Sequence, residues 1–212
     1  MSREGVRGSR GFTLVELAIV LVIIGIILGA VLKGQDLIMN ARAKKFVSKV
    51  KAWELAQWTF YDRKGRFAGD QDRNGLIGYH PNNDDVKSDL TSANFINPPY
   101  EMSGGNPSNT ITIGSYKFYV YFGQDCNNNK NVMVLCKTDD CNGPFNTDYL
   151  VFLDALDTSI DGVANGTAGN VVCVTNANNP ASTAWLFKDY ISPASCDTSA
   201  KAIVYYFDSG RE

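Results

Sequence analysis

Between Phe12 and Leu32 the chain runs through 21 residues that are all apolar or small except Thr13 and Glu16. As a single helix at 1.5 Å per residue, that run spans roughly 31 Å, enough to cross the hydrocarbon core of a bilayer. A polar, Gly-rich leader of 11 residues precedes it and carries Arg3, Arg7 and Arg10. An ordinary secretory signal would have a shorter apolar core with a small-residue cleavage site behind it, whereas here the small residue, Gly11, stands in front. Glu16 lies one helical turn inside the apolar run, where an ionised side chain is costly unless paired. Cleavage after Gly11 would make the Phe12 amine a new N-terminus one turn from Glu16. The amine of a neighbouring subunit could then neutralise this carboxylate in a packed array of such helices.

The segment Gly11-Phe12-Thr13-Leu14-Val15-Glu16 resembles the processing site of type IV prepilins and type II secretion pseudopilins. The resemblance implies cleavage between Gly11 and Phe12 by a prepilin peptidase, methylation of the Phe12 amine and a role for Glu16 in subunit registration. It further implies a precursor held singly in the inner membrane with its head outside the cytoplasm. An assembly platform, powered by an ATPase that this chain does not contain, would then extract it into a periplasmic or cell-surface filament of like subunits. Lipid contacts would be exchanged for protein ones in that step. Pilus subunit, secretion pseudopilin, and minor or tip pilin with an adhesive or binding head all fit this pattern. The count of basic residues points the other way: three arginines in the leader face Lys33, Arg42, Lys44, Lys45, Lys49 and Lys51 just after the span. The processing motif outweighs that count, because the peptidase requires a cytoplasmic leader.

Past the apolar run no proline occurs before Tyr61, and Phe46, Val50, Trp53, Gln57 and Phe60 recur at helical spacing with one polar interruption. The reading is one helix from Phe12 to about Asp62, apolar all round in its first half and amphipathic in its second. The basic residues form its solvated face. Many type IV pilins carry a proline at the position held here by Lys33, leaving Gly25, Gly29 and Gly34 as the weak points. Leader (1–11), assembly half (12–32), amphipathic half (33–62) and globular head (63–212) are the expected divisions.

The roughly 180 residues beyond the span suffice for one domain with its own core. Its strand signals are Thr110–Ile113, Tyr116–Phe122, Val132–Cys136, Val171–Thr175 and Ala202–Phe207, each bounded by turn formers. Short helices are expected near Val86–Asn94 and over Asp148–Ser159, with Gly162 just beyond the latter, while 82–109 otherwise reads as loop. Together these predict an α+β fold: a long N-terminal helix on an antiparallel sheet.

Asp70, Asp72 and Asn74 alternate ahead of Gly75 in the manner of an EF-hand loop, which makes Asp70, Asp72, Asn74 and Leu76 a candidate Ca2+ set. Pro81 takes the place of the closing Glu, so Asp84 would have to serve on a longer loop. The competing reading is a loop closed by Asx turns. Asp154, Asp157 and Asp161 form a second, weaker acidic group. The segment Phe60 to Asp70 is also similar to a pilin-like subgroup with a Pro-Gly-Asp turn after the long helix, Ala68 standing in place of the proline. That subgroup's later aspartate-rich segment is matched around Leu153 to Gly162.

Cys126, Cys136, Cys141, Cys173 and Cys196 all fall in the exported half, where two disulfides would leave one thiol over. No CxxC occurs and His80 is the sole histidine, which speaks against zinc. No nucleophile elbow, P-loop or HExxH is present, so a structural rather than enzymatic protein is expected. The net charge of −2 offers no electrostatic argument for nucleic acid.

Overall fold

The computed structural model describes residues 12–78, 86–104, 106–177 and 186–208. Its contacts divide the chain into two units, one ending at Asn40 and one beginning at Ala41. A single helix, α1 (Leu14–Lys64), begins two residues later and ends two residues later than the sequence reading. In the first unit it is solvent-facing nearly throughout, and a Cβ added at Gly25, Gly29 or Gly34 would meet no described atom within 4 Å beyond the adjoining residues and the helix's own backbone. The described residues contain one helix long and apolar enough to cross a membrane, and it is this one.

In the second unit the amphipathic stripe of α1 is buried as its spacing requires: Phe46, Val50, Trp53 and Phe60 are all at most 2% exposed. They lie against a six-stranded sheet built from β3 (Thr110–Ile113), β4 (Tyr116–Asp125), β5 (Lys130–Cys136), β6 (Val171–Val174), β7 (Leu186–Asp189) and β8 (Ala202–Tyr205). The strand order is β3-β4-β5-β8-β6, every pair antiparallel. The exception is β7, which runs parallel to the second half of β4, with Phe122 opposite Leu186. The side-chain period of two puts Phe118 and Phe122 on one face of β4. There Phe118 meets Phe46 at 4.3 Å between ring centroids and Phe122 meets Trp53 at 6.1 Å. Phe152 from α3 (Thr147–Asp161) closes the same cluster on Phe46 and Phe118. The architecture is α+β, a long N-terminal helix whose C-terminal half packs on a largely antiparallel sheet.

The loop reading of 82–109 needs correction. Besides α2 (Val86–Ser92) it holds a small hairpin, β1 (Glu101–Ser103) and β2 (Asn106–Ser108), with Pro107 in a two-stranded edge ribbon where its missing N–H does little harm. Glu101 ties this hairpin down, accepting from Lys49 Nζ at 2.6 Å and from the Thr112 amide at 2.7 Å.

The polar interruption of the helical stripe also has a physical role. Gln57 is fully buried; its Oε1 accepts from the Ala68 amide at 3.0 Å and its Nε2 donates to the Ala68 carbonyl at 3.4 Å. Gln57 therefore uses a backbone donor that a proline at 68 would lack. Gly69 follows with φ +90°, and a Cβ there would stand 2.5 Å from Val86 Cγ2.

Candidate assembly site

The N-terminus of α1 is closed by two residues, Thr13 and Glu16. Thr13 Oγ1 accepts from the Glu16 amide at 3.3 Å, while Glu16 Oε2 accepts from the Thr13 amide at 2.8 Å and from the Thr13 hydroxyl at 2.9 Å. This is a reciprocal capping box, Thr at the N-cap and Glu three residues on, satisfying helix N–H groups that have no partner of their own. Reading Glu16 only as a charge misses it, although the Thr-x-x-Glu spacing is the signal by which it can be found. Phe12 lies just outside the helix and is 77% exposed; Gly11 lies outside the described residues. The site thus presents a carboxylate held within one turn of Phe12, at the head of a helix whose apolar side chains are uncovered. The carboxylate also sits at the helix N-terminus, where the backbone dipole favours negative charge.

The other candidate residues are placed elsewhere and do other work. Asp70 is 1% exposed; its Oδ1 accepts from the Asn74 amide at 3.1 Å and its Oδ2 from the Gly75 amide at 3.1 Å. Asp72 accepts from the Asn74 amide and side chain, and Asn74 Oδ1 accepts from the Leu76 amide at 2.7 Å. These oxygens close Asx turns in the loop, and Asp84 lies outside the described residues. Burial and the adjoining Asp72 push the Asp70 carboxyl up, against the pull of those two amides. Among the described residues no three His, Cys, Asp or Glu side chains come together as a metal site. His80 lies outside the described residues.

The second acidic group likewise braces a loop. Asp157 Oδ2 accepts from the Asn165 and Gly166 amides at 2.8 Å each, and Asp161 accepts from those of Asn170 and Val171. Burial raises the Asp157 carboxyl, whose Oδ1 has no hydrogen-bond partner. Four of the five cysteines form disulfides: Cys136 with Cys141, and Cys173 with Cys196. Cys126, half-buried, belongs to neither.

Against known protein families, residues 6–32 match the prokaryotic N-terminal methylation motif, typical of type IV pilins and pseudopilins. The match covers the second half of the leader and the apolar run and stops before the head. No curated protein and no solved structure matches the chain.

Proposed function

We propose that this pilin-like chain, carrying the methylation motif, is a structural subunit of a type IV pilus-like filament. A prepilin peptidase cuts between Gly11 and Phe12, the Phe12 amine is methylated, and the subunit waits in the inner membrane through residues 12–32 with its head outside the cytoplasm. Assembly withdraws the helix from lipid and packs it among the helices of other subunits. The observation that carries this reading is the matched motif at the head of an apolar helix whose side chains are exposed from Phe12 to Leu32.

The capping box adds a mechanism. In the lone chain Glu16 is occupied by Thr13 of its own helix. In the filament the same carboxylate turns to a neighbour's methylated amine, so it is hydrogen-bonded before assembly and ion-paired after it. The helix macrodipole steadies it in the interval. The same segment would serve a type II secretion pseudopilin, and a head braced by two disulfides suits the cell surface.

Glu16→Gln separates the two roles. Glutamine still accepts from the Thr13 amide, as capping boxes allow, but carries no charge. The variant should be cleaved and methylated normally while the yield of sheared filaments collapses. Wild-type yield would refute the pairing role.

A further inference from the structure

The last turn of α3 carries two aspartates that pin the loop 162–170 leading into β6. Asp157 Oδ2 accepts from the Asn165 and Gly166 amides at 2.8 Å each, in the middle of the loop. Asp161 accepts from the Asn170 and Val171 amides at 3.0 and 2.8 Å, at its far end. The loop so held lies over a disulfide. The Cys173 amide donates to the Gly166 carbonyl at 2.8 Å, and a Cβ at Gly166 would collide with Sγ of Cys196, the partner of Cys173.

Asp157 is only half satisfied. It is 1% exposed, and its Oδ1 is buried with no hydrogen-bond donor. The group within hydrogen-bonding reach of its side chain is another carboxyl, that of Asp161, at the i,i+4 spacing that brings helical side chains together. Two ionised carboxylates so placed repel, and neither has a proton to give. One proton on Asp157 Oδ1 removes both costs. It occupies the empty position and turns the repulsion into a hydrogen bond, while Oδ2 keeps its two amides and Asp161 keeps its own. The surroundings favour that proton. Asp154 of α3 adds a third carboxyl, and β8 brings Tyr205, whose hydroxyl donates to Glu54 of α1 at 2.9 Å. β6, on which α3 packs, brings only valines and the disulfide-bonded Cys173. Burial above all, and then Asp161, push the Asp157 carboxyl up from 3.8 against the pull of the Gly166 and Asn165 amides. We propose that Asp157 and Asp161 share one proton in the weakly acidic range, and that this proton latches the 162–170 loop over the Cys173–Cys196 disulfide.

The folded chain then keeps a proton that the unfolded chain has released. The stabilisation is whole below 3.8 and is lost as pH rises through the raised folded value, leaving two like charges under the loop. Nothing here depends on filament assembly, and the test uses the full chain in zwitterionic detergent. At about pH 5, above the ordinary aspartate range, infrared spectra should show a protonated-carboxyl stretch that Asp157→Asn abolishes. Asp161→Asn should abolish it too, because its side-chain amide can donate to Asp157 directly and makes the proton unnecessary. A carboxyl protonated by burial alone would keep its band in that variant. Hydrogen exchange gives the second readout. Protection of the Asn165 and Gly166 amides, relative to the unfolded chain, should fall from that pH into the alkaline range in the wild type and stay level in Asp157→Asn. If Asp157→Asn fails to fold, the Asp161→Asn spectrum and the wild-type exchange profile still decide. A band that survives in Asp161→Asn, or wild-type protection that does not change with pH, overturns the proposal.

Discussion

Removing the charge of Glu101 should weaken the head in a way that disappears in acid. This carboxylate fastens the β1–β2 hairpin to both the helix and the sheet: Oε1 accepts from Lys49 Nζ and the Thr112 amide, and Oε2 from the hydroxyls of Thr110 and Thr112. Burial opposes its ionisation, but the Lys49 and Thr112 hydrogen bonds outweigh that and bring the carboxyl from 4.5 down to about 2. At about 1.4 kcal/mol per pH unit the whole shift would correspond to about 3 kcal/mol. The Glu101 and Lys49 side chains remain 25% and 34% exposed, so solvent screening reduces this to about 1–2 kcal/mol. Because the folded-state value is lowered, the unfolded chain takes up the proton first as pH falls. The contribution is therefore present above pH 4.5 and lost as pH falls to about 2. Urea unfolding of the full chain in zwitterionic detergent, followed by tryptophan fluorescence, should show Glu101→Gln less stable by about 1–2 kcal/mol at neutral pH. The two proteins should converge in acid. An equal deficit at both pH values would show that shape and not charge holds the hairpin; no deficit at neutral pH would show that these bonds contribute nothing.

Two further predictions concern the head. Asp70→Ala removes the acceptor of two part-buried amides, those of Asn74 and Gly75, and should cost about 1–2 kcal/mol, by the same amount in chelator and in millimolar calcium; a deficit seen only with calcium would show that the loop is an ion site. Replacing both Cys173 and Cys196 by serine opens a loop of 23 residues and should cost about 3 kcal/mol, against about 2 for Cys136 and Cys141 with a separation of 5. Equal losses in denaturant midpoint would refute the loop-entropy reasoning.

What could be read in advance followed periodicity. The stripe from Phe46 to Phe60, the strands around Phe118, Val134 and Ile203, and Gly162 as the left-handed cap of α3 (φ 82°) all obey local rules that burial then satisfies. Long-range pairing escaped. Leu186–Asp189 becomes a strand only because the second half of β4 leaves an edge open to it, and Asn106–Ser108 does so despite its proline because Glu101–Ser103 lies beside it. In the N-terminal segment the residue types carry the motif match, but the hydrogen bonds between Thr13 and Glu16 were overshadowed by the cost of a carboxylate in an apolar run. The alternation of Asp70, Asp72 and Asn74 serves an Asx-turn loop and a cation loop equally well.

The most direct test of the filament reading is the intact mass and N-terminal sequence of the protein, taken from sheared surface filaments and from membranes of the same cells. A chain beginning at N-methylated Phe12 in the filament fraction is the expected result. A chain still beginning at Met1 in both fractions would contradict it.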